Sequence, residues 1–386
     1  MKKIFVTGGA GYIGSHTVLE LLAKKYQVIV IDDLRAGHKE LLPANITLEK
    51  ISLEDRADVF QVFKKHQPEA VIDFAAYLAV GESMTQPEKY LQNNVLNFIN
   101  ILDAMLKSNC RLIIKSSTAA VYGNPIKEND VPWIESFTET YKPKKAALLE
   151  GKWANEDVVG EEFLQKFLER YSAEIDSRQE LILSNEDVTK LRIPLSVYGV
   201  SKLLDEIILE KYNKTLGIKY VAFRYFNVCG ADPNGRTGDS KPKPTNLMSM
   251  AILSVLSKIP ELLVYGNDYP TKDGTGVRDY IHPSDLAVAH VLAIKYLESD
   301  NKSEIFNLAT GYGSSVLEVI KAVESASGKK VKYKITDRRS GDASISIADS
   351  SKAEKILGWK TKYNLTDMAK TAWKWESCNK EKILKK

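Results

Sequence analysis

The two side chains best suited to chemistry are a tyrosine and a lysine four residues apart, Tyr198 and Lys202. Residues at this spacing share one face of a helix. A free phenol has a pKa of about 10 and is protonated at neutral pH, but a neighbouring cation favours the phenolate. We therefore expect Lys202 to help Tyr198 act as a general base. The alternative is a surface pair without function.

A hydroxyl group is expected beside this pair. Ser116, Ser117 and Thr118 directly follow the apolar run at 112–114, which is typical of a buried strand. Thr118 should therefore lie at the carboxyl edge of a sheet, where its hydroxyl could bridge a substrate oxygen and Tyr198. The alternative is a threonine that only satisfies backbone groups at the end of the strand.

The first 33 residues indicate a cofactor. Gly8, Gly11 and Gly14 follow a short apolar run and precede a helical pattern and a second apolar run that ends at Asp32. This order is typical of a dinucleotide site. The glycines allow a sharp turn, approach of the backbone to a pyrophosphate and close packing of the helix. Asp32 would bind the adenosine ribose and repel a 2′-phosphate, so the sequence favours NAD over NADP.

The elements that position these groups follow an alternating pattern. Apolar runs and helical patterns continue in turn as far as Ser116. The alternation predicts an α/β fold of Rossmann type, with a doubly wound parallel sheet and ligands at the carboxyl ends of the strands. We expect three groups to face one crevice: Asn93 and Asn94, Ser116 to Thr118, and Tyr225 to Asn227.

Two regions depart from the alternation. Residues of about 141–192 are acidic, contain an amphipathic helical pattern at 158–171, and are too many for an ordinary loop, which predicts an inserted helical segment. Beyond Asn227, short elements separated by Pro- and Gly-rich stretches predict a smaller mixed α/β substrate-binding lobe. The expected domains are an NAD-binding domain at 1–226 and a substrate-binding domain at 227–386, partly interleaved with the first.

Composition narrows the class of protein. The chain of 386 residues has a net charge of +4 and no dense basic patch with interleaved aromatics, so we expect no nucleic-acid partner. It has no apolar run of membrane-spanning length and enters its first strand at once, which predicts a cytoplasmic protein without a membrane partner. Three distant cysteines and isolated histidines predict unpaired thiols and no metal site.

Several motifs together carry a resemblance to a known family. They lie at 6–16, 79–83, 93–95, 116–123, 198–202, 224–227, 265–270, 273–282 and 338–342, and the run at 266–282 is the most specific. With these motifs the chain resembles the extended short-chain dehydrogenase/reductases, and among them the UDP-glucose 4-epimerases. The resemblance covers nearly the whole chain except the insertion.

This resemblance implies NAD-dependent 4-epimerisation of UDP-hexoses by transient oxidation at C4, rotation of the 4-keto sugar and return of the hydride. It implies that Tyr198 takes the proton of the 4-hydroxyl, Lys202 holds the nicotinamide ribose and Thr118 orients the 4-oxygen. The implied cofactor-binding residues are Gly8, Gly11, Tyr12, Ile13, Gly14, Asp32, Asp33, Ser52, Leu53, Phe74, Ala75, Ala76, Asn93, Ser116, Tyr198, Lys202 and Tyr225. The implied substrate-binding residues are Thr118, Asn227, Asn246, Leu247, Arg278, Arg339, Asp342 and Ser346.

Three further expectations follow from the resemblance. Arg278 and Arg339 would clamp the diphosphate, a task that suits a planar and permanently charged guanidinium, with surface salt bridges as the alternative. The small Ser346 occupies a position where the family closes the sugar pocket, which implies turnover of UDP-N-acetylhexosamines as well. Apolar faces at 95–106 and 203–208 exceed the needs of one sheet face, and the family packs such helices into a homodimer.

Some positions depart from related patterns. Ala119 and Ala120 stand where 4,6-dehydratases and decarboxylases of the same fold need acidic groups, and a methyl group cannot transfer a proton. Ser52 and Leu53 align where the family usually has an aspartate for the adenine, and Leu78 replaces a lysine near the phosphates. The alternatives are an epimerase specific for UDP-glucuronate or UDP-N-acetylglucosamine, and an NAD-sensing scaffold, which would typically lose the Tyr/Lys pair.

Overall fold

A computed structural model describes residues 2–123, 196–242, 244–300, 302–339 and 342–384, so the insertion expected at 141–192 lies outside the described residues. The strands are β1 (Lys3–Thr7), β2 (Gln27–Ile31), β3 (Thr47–Glu49), β4 (Ala70–Asp73), β5 (Leu112–Thr118), β6 (Lys219–Tyr225), β7 (Asn227–Val228), β8 (Leu262–Tyr265), β9 (Val277–Ile281), β10 (Glu304–Leu308), β11 (Gly313–Ser315), β12 (Tyr333–Thr336) and β13 (Ile345–Ser346).

The helices of the described residues lie between these strands and after the last of them. They are α1 (Tyr12–Ala23), α2 (Arg56–His66), α3 (Val80–Thr85), α4 (Pro87–Leu91), α5 (Asn97–Lys107), α6 (Val197–Leu216), α7 (Leu247–Val255), α8 (Pro283–Glu298), α9 (Val316–Ser327), α10 (Ser351–Leu357), α11 (Leu365–Lys374) and α12 (Lys380–Leu384). A π-helical turn, Gln92–Leu96, leads into α5, and a 3₁₀ turn, Ala119–Tyr122, follows β5. None of these helices is long and apolar enough to cross a membrane.

Seven strands form the main sheet in the order β10-β6-β5-β4-β1-β2-β3, and every neighbouring pair is parallel. The direction in which the chain adds strands changes between β1 and β4, which creates a crevice at their carboxyl ends. The expected Rossmann-type architecture is therefore confirmed. The edge strand β10 comes from the C-terminal half of the chain, and the domain boundary at 226 stays a prediction.

Both faces of the main sheet are buried, because successive residues of each strand point to opposite sides. Phe5 and Ile29 pack in one core cluster with residues of α2, α5 and α6. Val6 and Val30 pack in another with residues of α1 and α8. This double burial explains why the strands read as continuous apolar runs in the sequence.

A second, smaller sheet lies in the C-terminal half. Its central strand β9 pairs with β11 in the antiparallel sense and with β13 and β7 in the parallel sense. A separate parallel pair joins β8 and β12. Buried residues of α7, α9 and α11 form a core cluster beside these strands. The smaller mixed α/β region expected beyond Asn227 is present.

The apolar faces of α5 and α6 leave less free surface than the sequence suggests. Phe98, Leu102, Leu204 and Ile208 are buried and belong to one core cluster of this chain. Leu203 is buried in another cluster with Val121 and Tyr122. The surplus apolar surface expected at 95–106 and 203–208 is therefore largely used within the chain, and the homodimer stays a prediction.

Helix α6 begins and ends with clear signals. The Ser196 hydroxyl accepts a hydrogen bond from the Gly199 N–H at 3.1 Å and caps the first turn. Gly217 ends the helix in the left-handed conformation, with φ of 69°. These ends place Tyr198 and Lys202 in the first two turns, beside the carboxyl ends of β5 and β6.

A buried ion pair fastens this helix to the sheet. Arg224 of β6 donates through Nε to Glu206 Oε1 at 2.9 Å and through Nη2 to Oε2 at 2.6 Å. The Ser117 hydroxyl donates to the same Glu206 Oε1 at 2.5 Å. Glu206 thus joins α6 to β5 and β6 through a bidentate contact shielded from water.

We expect Arg224→Leu to lower the free energy of unfolding by about 3–5 kcal/mol, because it leaves the Glu206 carboxylate buried without its cation. Urea denaturation followed by circular dichroism measures the change. Lys214→Met, which removes an exposed ion pair with Glu210, is the matched control and should have little effect. Equal stability of the wild type and the Arg224 variant would contradict the assigned role of the pair.

Candidate active site

A cavity of about 440 Å³ lies along the carboxyl edge of the main sheet. Its size is that of a cofactor or small-molecule site. The residues that line it are Gly8, Gly11, Tyr12, Ile13, Gly14, Ile31, Asp32, Asp33, Arg35, Ala36, Gly37, Ile51, Leu53, Phe74, Ala75, Ala76, Tyr77, Leu78, Asn93, Asn97, Ser116, Ser117, Thr118, Tyr198, Tyr225, Phe226, Asn227, Val228, Ser240, Lys241 and Asn246.

The glycine-rich turn forms one end of this cavity. Gly8 has a φ of 65°, which favours glycine, and a Cβ added to Gly14 would overlap the Gly8 carbonyl oxygen. Helix α1 begins just after Gly11, and no side chain in the described part of the protein caps its first N–H groups. These unpaired donors and the helix dipole form a site suited to phosphate groups.

The Asp32 carboxylate is held rigidly beside this turn. It accepts hydrogen bonds from the backbone N–H groups of Ala10 at 3.0 Å and Leu34 at 2.9 Å. Burial nevertheless raises its pKa above the ordinary value for an aspartate. A carboxylate has about four acceptor positions, so two remain for hydroxyl groups of a ligand.

Tyr198 and Thr118 meet at another part of the cavity. The Thr118 hydroxyl accepts a hydrogen bond from the Ala120 N–H at 3.2 Å and also lies within hydrogen-bonding reach of the Tyr198 phenol. Both roles considered for Thr118 are therefore compatible with the structure. Burial raises the pKa of Tyr198, and the hydrogen bond with Thr118 offsets only part of that rise.

Lys202 lies behind the wall of the cavity and does not line it. Its Nζ donates a hydrogen bond to the Ser116 carbonyl at 3.0 Å. Burial, helped by the nearby ammonium of Lys115, lowers the pKa of Lys202 to about 8. The sequence predicts a cation that lowers the pKa of Tyr198, whereas in the structure burial of the phenol is the dominant effect.

Comparisons with known proteins identify the family. A family model described as NAD dependent epimerase/dehydratase matches residues 4–150, and one described as GDP-mannose 4,6 dehydratase matches residues 178–372. The UDP-glucose 4-epimerase of Bacillus subtilis is 38% identical over 385 residues, which cover 97% of each chain. The chain belongs to the UDP-glucose 4-epimerase family.

Solved structures of this family have the same fold. A UDP-glucose-4-epimerase from Stenotrophomonas maltophila, with bound NAD and formylated UDP-arabinopyranose, is 33% identical with a TM-score of 0.79 and 98% of each chain covered. The UDP-Glc/GlcNAc 4-epimerase from Campylobacter jejuni is also 33% identical, with a TM-score of 0.72 and 98% and 99% of the two chains covered. The likeness extends over the C-terminal half as well as the main sheet.

Most of the cofactor residues implied by the family lie together. Fifteen of the seventeen line the cavity, and the exceptions are Ser52 and Lys202. The Ser52 hydroxyl accepts a hydrogen bond from the Glu54 N–H at 3.2 Å. Asn94, expected at the crevice, does not line the cavity either. Its amide group instead binds the backbone of Tyr77 at 2.8 and 3.1 Å and the Ser201 hydroxyl at 3.0 Å, which ties the cavity wall to α6.

The substrate residues implied by the family divide into two groups. Thr118, Asn227 and Asn246 line the cavity. Leu247, Arg278, Arg339, Asp342 and Ser346 do not.

The second group belongs to the C-terminal half. Arg278 of β9 lies 3.6 Å from Asp342 Oδ1, and Ser346 pairs with Arg278 in the sheet register. The Arg339 guanidinium lies 3.7 Å from the centre of the Tyr265 ring. Their expected positions near a substrate stay predictions.

Sequence reasoning missed several residues of the cavity wall. They are Ile31, Arg35, Ala36, Gly37, Ile51, Tyr77, Asn97, Val228, Ser240 and Lys241. The run 35–37 comes shortly after Asp33 and the end of β2, so its place at the carboxyl edge was a usable signal. Ser240 and Lys241 lie in an irregular segment without periodicity, and nothing in the sequence places them there.

We expect Gly14→Ala to abolish tight binding of NAD, because the new Cβ would push α1 away from the Gly8 turn, where the phosphates are expected to bind. The NAD released from denatured purified protein and the affinity of the apoprotein for added NAD measure the effect. Gly81→Ala is the matched control, since its Cβ would meet no atom within 4 Å. Full NAD content in the Gly14 variant would show that this turn does not hold the cofactor.

Proposed function

We propose that this protein is an NAD-dependent 4-epimerase that interconverts UDP-glucose and UDP-galactose. One observation carries the proposal: Tyr198 and Thr118 lie in the same cavity as the glycine-rich turn and Asp32. A proton-accepting group and a dinucleotide site thus share one space. The full-length similarity to UDP-glucose 4-epimerases supports the UDP-hexose as the substrate.

The cavity fits NAD on grounds of its own chemistry. The uncapped N–H groups at the start of α1 suit a pyrophosphate, and the overlap that a Cβ at Gly14 would cause shows how closely the turn and helix are packed. The Asp32 carboxylate suits ribose hydroxyls and disfavours a 2′-phosphate. When bound, NAD would accept a hydride from C4 of the sugar and return it to the opposite face.

The residues of the chain would manage the proton and the sugar. Tyr198 would take the proton from the 4-hydroxyl during oxidation and give it back during reduction. Thr118 would hold the 4-oxygen next to the phenol. Lys202, fixed to the Ser116 carbonyl, would keep a positive charge behind Tyr198 and favour its phenolate.

Two related activities fit the site less well. The positions after Thr118 are Ala119 and Ala120, which form a 3₁₀ turn and offer no acidic group for the elimination of water in a 4,6-dehydratase. Within the described residues of the cavity wall, the carboxylates are Asp32 and Asp33, at the dinucleotide end. A non-catalytic NAD-sensing scaffold would leave the adjacency of Tyr198 and Thr118 without a purpose.

Further parts of the proposal concern the substrate and assembly. Arg278 and Arg339 would bind the diphosphate of the UDP-sugar, as the resemblance to the family implies. The homodimer and the cytoplasmic location rest on the resemblance and the sequence alone. The division into an NAD-binding region at 1–226 and a UDP-sugar-binding region at 227–386 belongs to the same proposal.

We expect Tyr198→Phe to reduce epimerisation of UDP-glucose by about a hundredfold or more, because it removes the group that accepts the proton. The NAD content should be unchanged, since the fold and the glycine turn are untouched. A coupled assay of UDP-galactose formation measures turnover. Activity above a few per cent of the wild type would exclude Tyr198 as the base, and an inactive wild type would refute the proposed function itself.

We expect the wild type to epimerise UDP-N-acetylglucosamine as well as UDP-glucose, because Ser346 is small. Ser346→Tyr should lower kcat/KM for the N-acetylated sugar by about tenfold or more and spare UDP-glucose, since a bulky ring would fill the space of the acetamido group. Side-by-side kcat/KM values for the two sugars decide the matter. Ser344→Tyr, two residues earlier, controls for a general effect of an added ring.

A further inference from the structure

Four charged side chains lie together behind the wall of the cavity. They are Asp73 of β4, Lys115 of β5, and Lys202 and Asp205 of α6, and none is more than 1% exposed. Lys115 Nζ lies 2.5 Å from Asp73 Oδ2 and 3.0 Å from Asp205 Oδ2. Lys202 Nζ lies 3.9 Å from the same Asp205 oxygen. Two cations and two anions thus balance one another in a dry environment.

The two carboxylates of this buried cluster are held differently. Asp73 accepts hydrogen bonds from the Thr7 hydroxyl and from the Ala75 N–H at 3.3 Å, so groups of the sheet edge support it without Lys115. Asp205 accepts no hydrogen bond from a neutral donor among the described residues, and its polar contacts there are the ammonium groups of Lys115 and Lys202. Its buried charge therefore depends on the two ammonium groups, and such a charge is costly when unpaired.

The contacts of the Lys115 ammonium bear on the direction of the Lys202 side chain. The Lys115 ammonium lies between the two carboxylates and 3.7 Å from the centre of the Phe98 ring, which also favours a cation there. Lys202 is farther from Asp205 and donates instead to the Ser116 carbonyl at the edge of the site. Without Lys115, the attraction of Asp205 would act on Lys202 alone.

We propose that Lys115 is a positioning residue: by neutralising Asp205 it keeps the Lys202 ammonium directed at the Ser116 carbonyl and maintains a positive charge behind Tyr198. The proposal rests on the proposed function of Tyr198 as the base. Lys115 itself does not line the cavity, so it acts through the side chains beside it.

The charged and titratable groups that interact with Tyr198 come from several elements: Asp205 of α6, Lys115 of β5, Tyr90 of α4 and Tyr225 of β6. Burial raises the pKa of both tyrosines, which leaves them neutral near pH 7. Lys115 lowers the pKa of Tyr198 and Asp205 raises it. Changes at these two positions should therefore move the titration of Tyr198 in opposite directions.

The first test is Lys115→Met, which removes the charge and keeps a side chain of similar length. The pKa of Tyr198 should rise by about one unit. The acidic limb of the kcat profile should then move to higher pH by the same amount, and kcat near neutral pH should fall by about tenfold. KM for UDP-glucose should change by less than about threefold, since no cavity residue is altered.

The decisive test is rescue by a second substitution. The double variant Lys115→Met/Asp205→Asn loses one charge of each sign. The neutral side chain at position 205 then no longer attracts the Lys202 ammonium. The acidic limb should return close to its wild-type position and most of the lost kcat should be restored. A purely structural role for Lys115 predicts no rescue, because the double variant loses more contacts than the single one.

A spectroscopic measurement without substrate gives an independent readout. The phenolate absorbance of Tyr198 is obtained as the difference between each protein and its Tyr198→Phe counterpart during a pH titration. Lys115→Met should shift this titration to higher pH, and the double variant should restore it. This readout does not need turnover, so it still tests the inference if the wild type fails to epimerise UDP-glucose and the proposed function is refuted.

The matched control is Lys352→Met. Lys352 also pairs with a carboxylate, Glu304 at 2.6 Å, and lies 5.3 Å from the centre of the Phe306 ring, but it does not line the cavity. The Lys352→Met substitution should leave the pH titration of Tyr198 unchanged. If Lys115→Met does not fold, Asp205→Asn alone should move the titration to lower pH. An unshifted titration in the folded variants, or loss of activity that Asp205→Asn does not rescue, overturns the proposal.

Discussion

The site depends on the contact between α6 and the carboxyl ends of β5 and β6. Several buried polar contacts hold this helix in place, among them Glu206 with Arg224, Lys202 with the Ser116 carbonyl, and Ser201 with Asn94. All of these groups are buried or nearly so, and a buried polar group that loses its partner costs far more than an exposed one. The helix therefore cannot slide along the sheet without breaking several contacts at once, and Tyr198 keeps its place at the edge of the cavity.

The same burial that fixes the site also opposes the ionisation of Tyr198 and Lys202. Loss of water raises the pKa of Tyr198 and lowers the pKa of Lys202 to about 8, so both groups favour their neutral forms more than they would in water. Positive charge close to the phenol has to offset this effect. The apoprotein is accordingly expected to hold Tyr198 protonated, and nearby cations would make it a more effective base.

The sequence was sufficient for features that depend on local chemistry. The glycine spacing, the alternation of apolar runs and the pair Tyr198 and Lys202 each have a short-range physical cause. The sheet and the glycine turn are present as expected, and Tyr198 lines the cavity with Lys202 behind its wall. The features that the sequence could not reveal depend on contacts between residues far apart in the chain. Lys115 and Asp205 read as ordinary charges on a strand and a helix, and only the fold makes them partners. The burial that raises the pKa of Tyr198 is likewise a property of packing.

The cofactor end of the cavity is fixed to the C-terminal half of the chain. The Tyr12 hydroxyl of α1 donates to the Gly230 carbonyl at 2.6 Å, and the Ser15 and Thr237 hydroxyls lie 2.6 Å apart. The segment that carries these partners also supplies Ser240 and Lys241 to the cavity wall. Movement of that segment would therefore disturb the first turn of α1, the proposed site of the cofactor phosphates. Direct contacts thus join the glycine turn to the neighbouring wall, although the residues involved are more than two hundred positions apart.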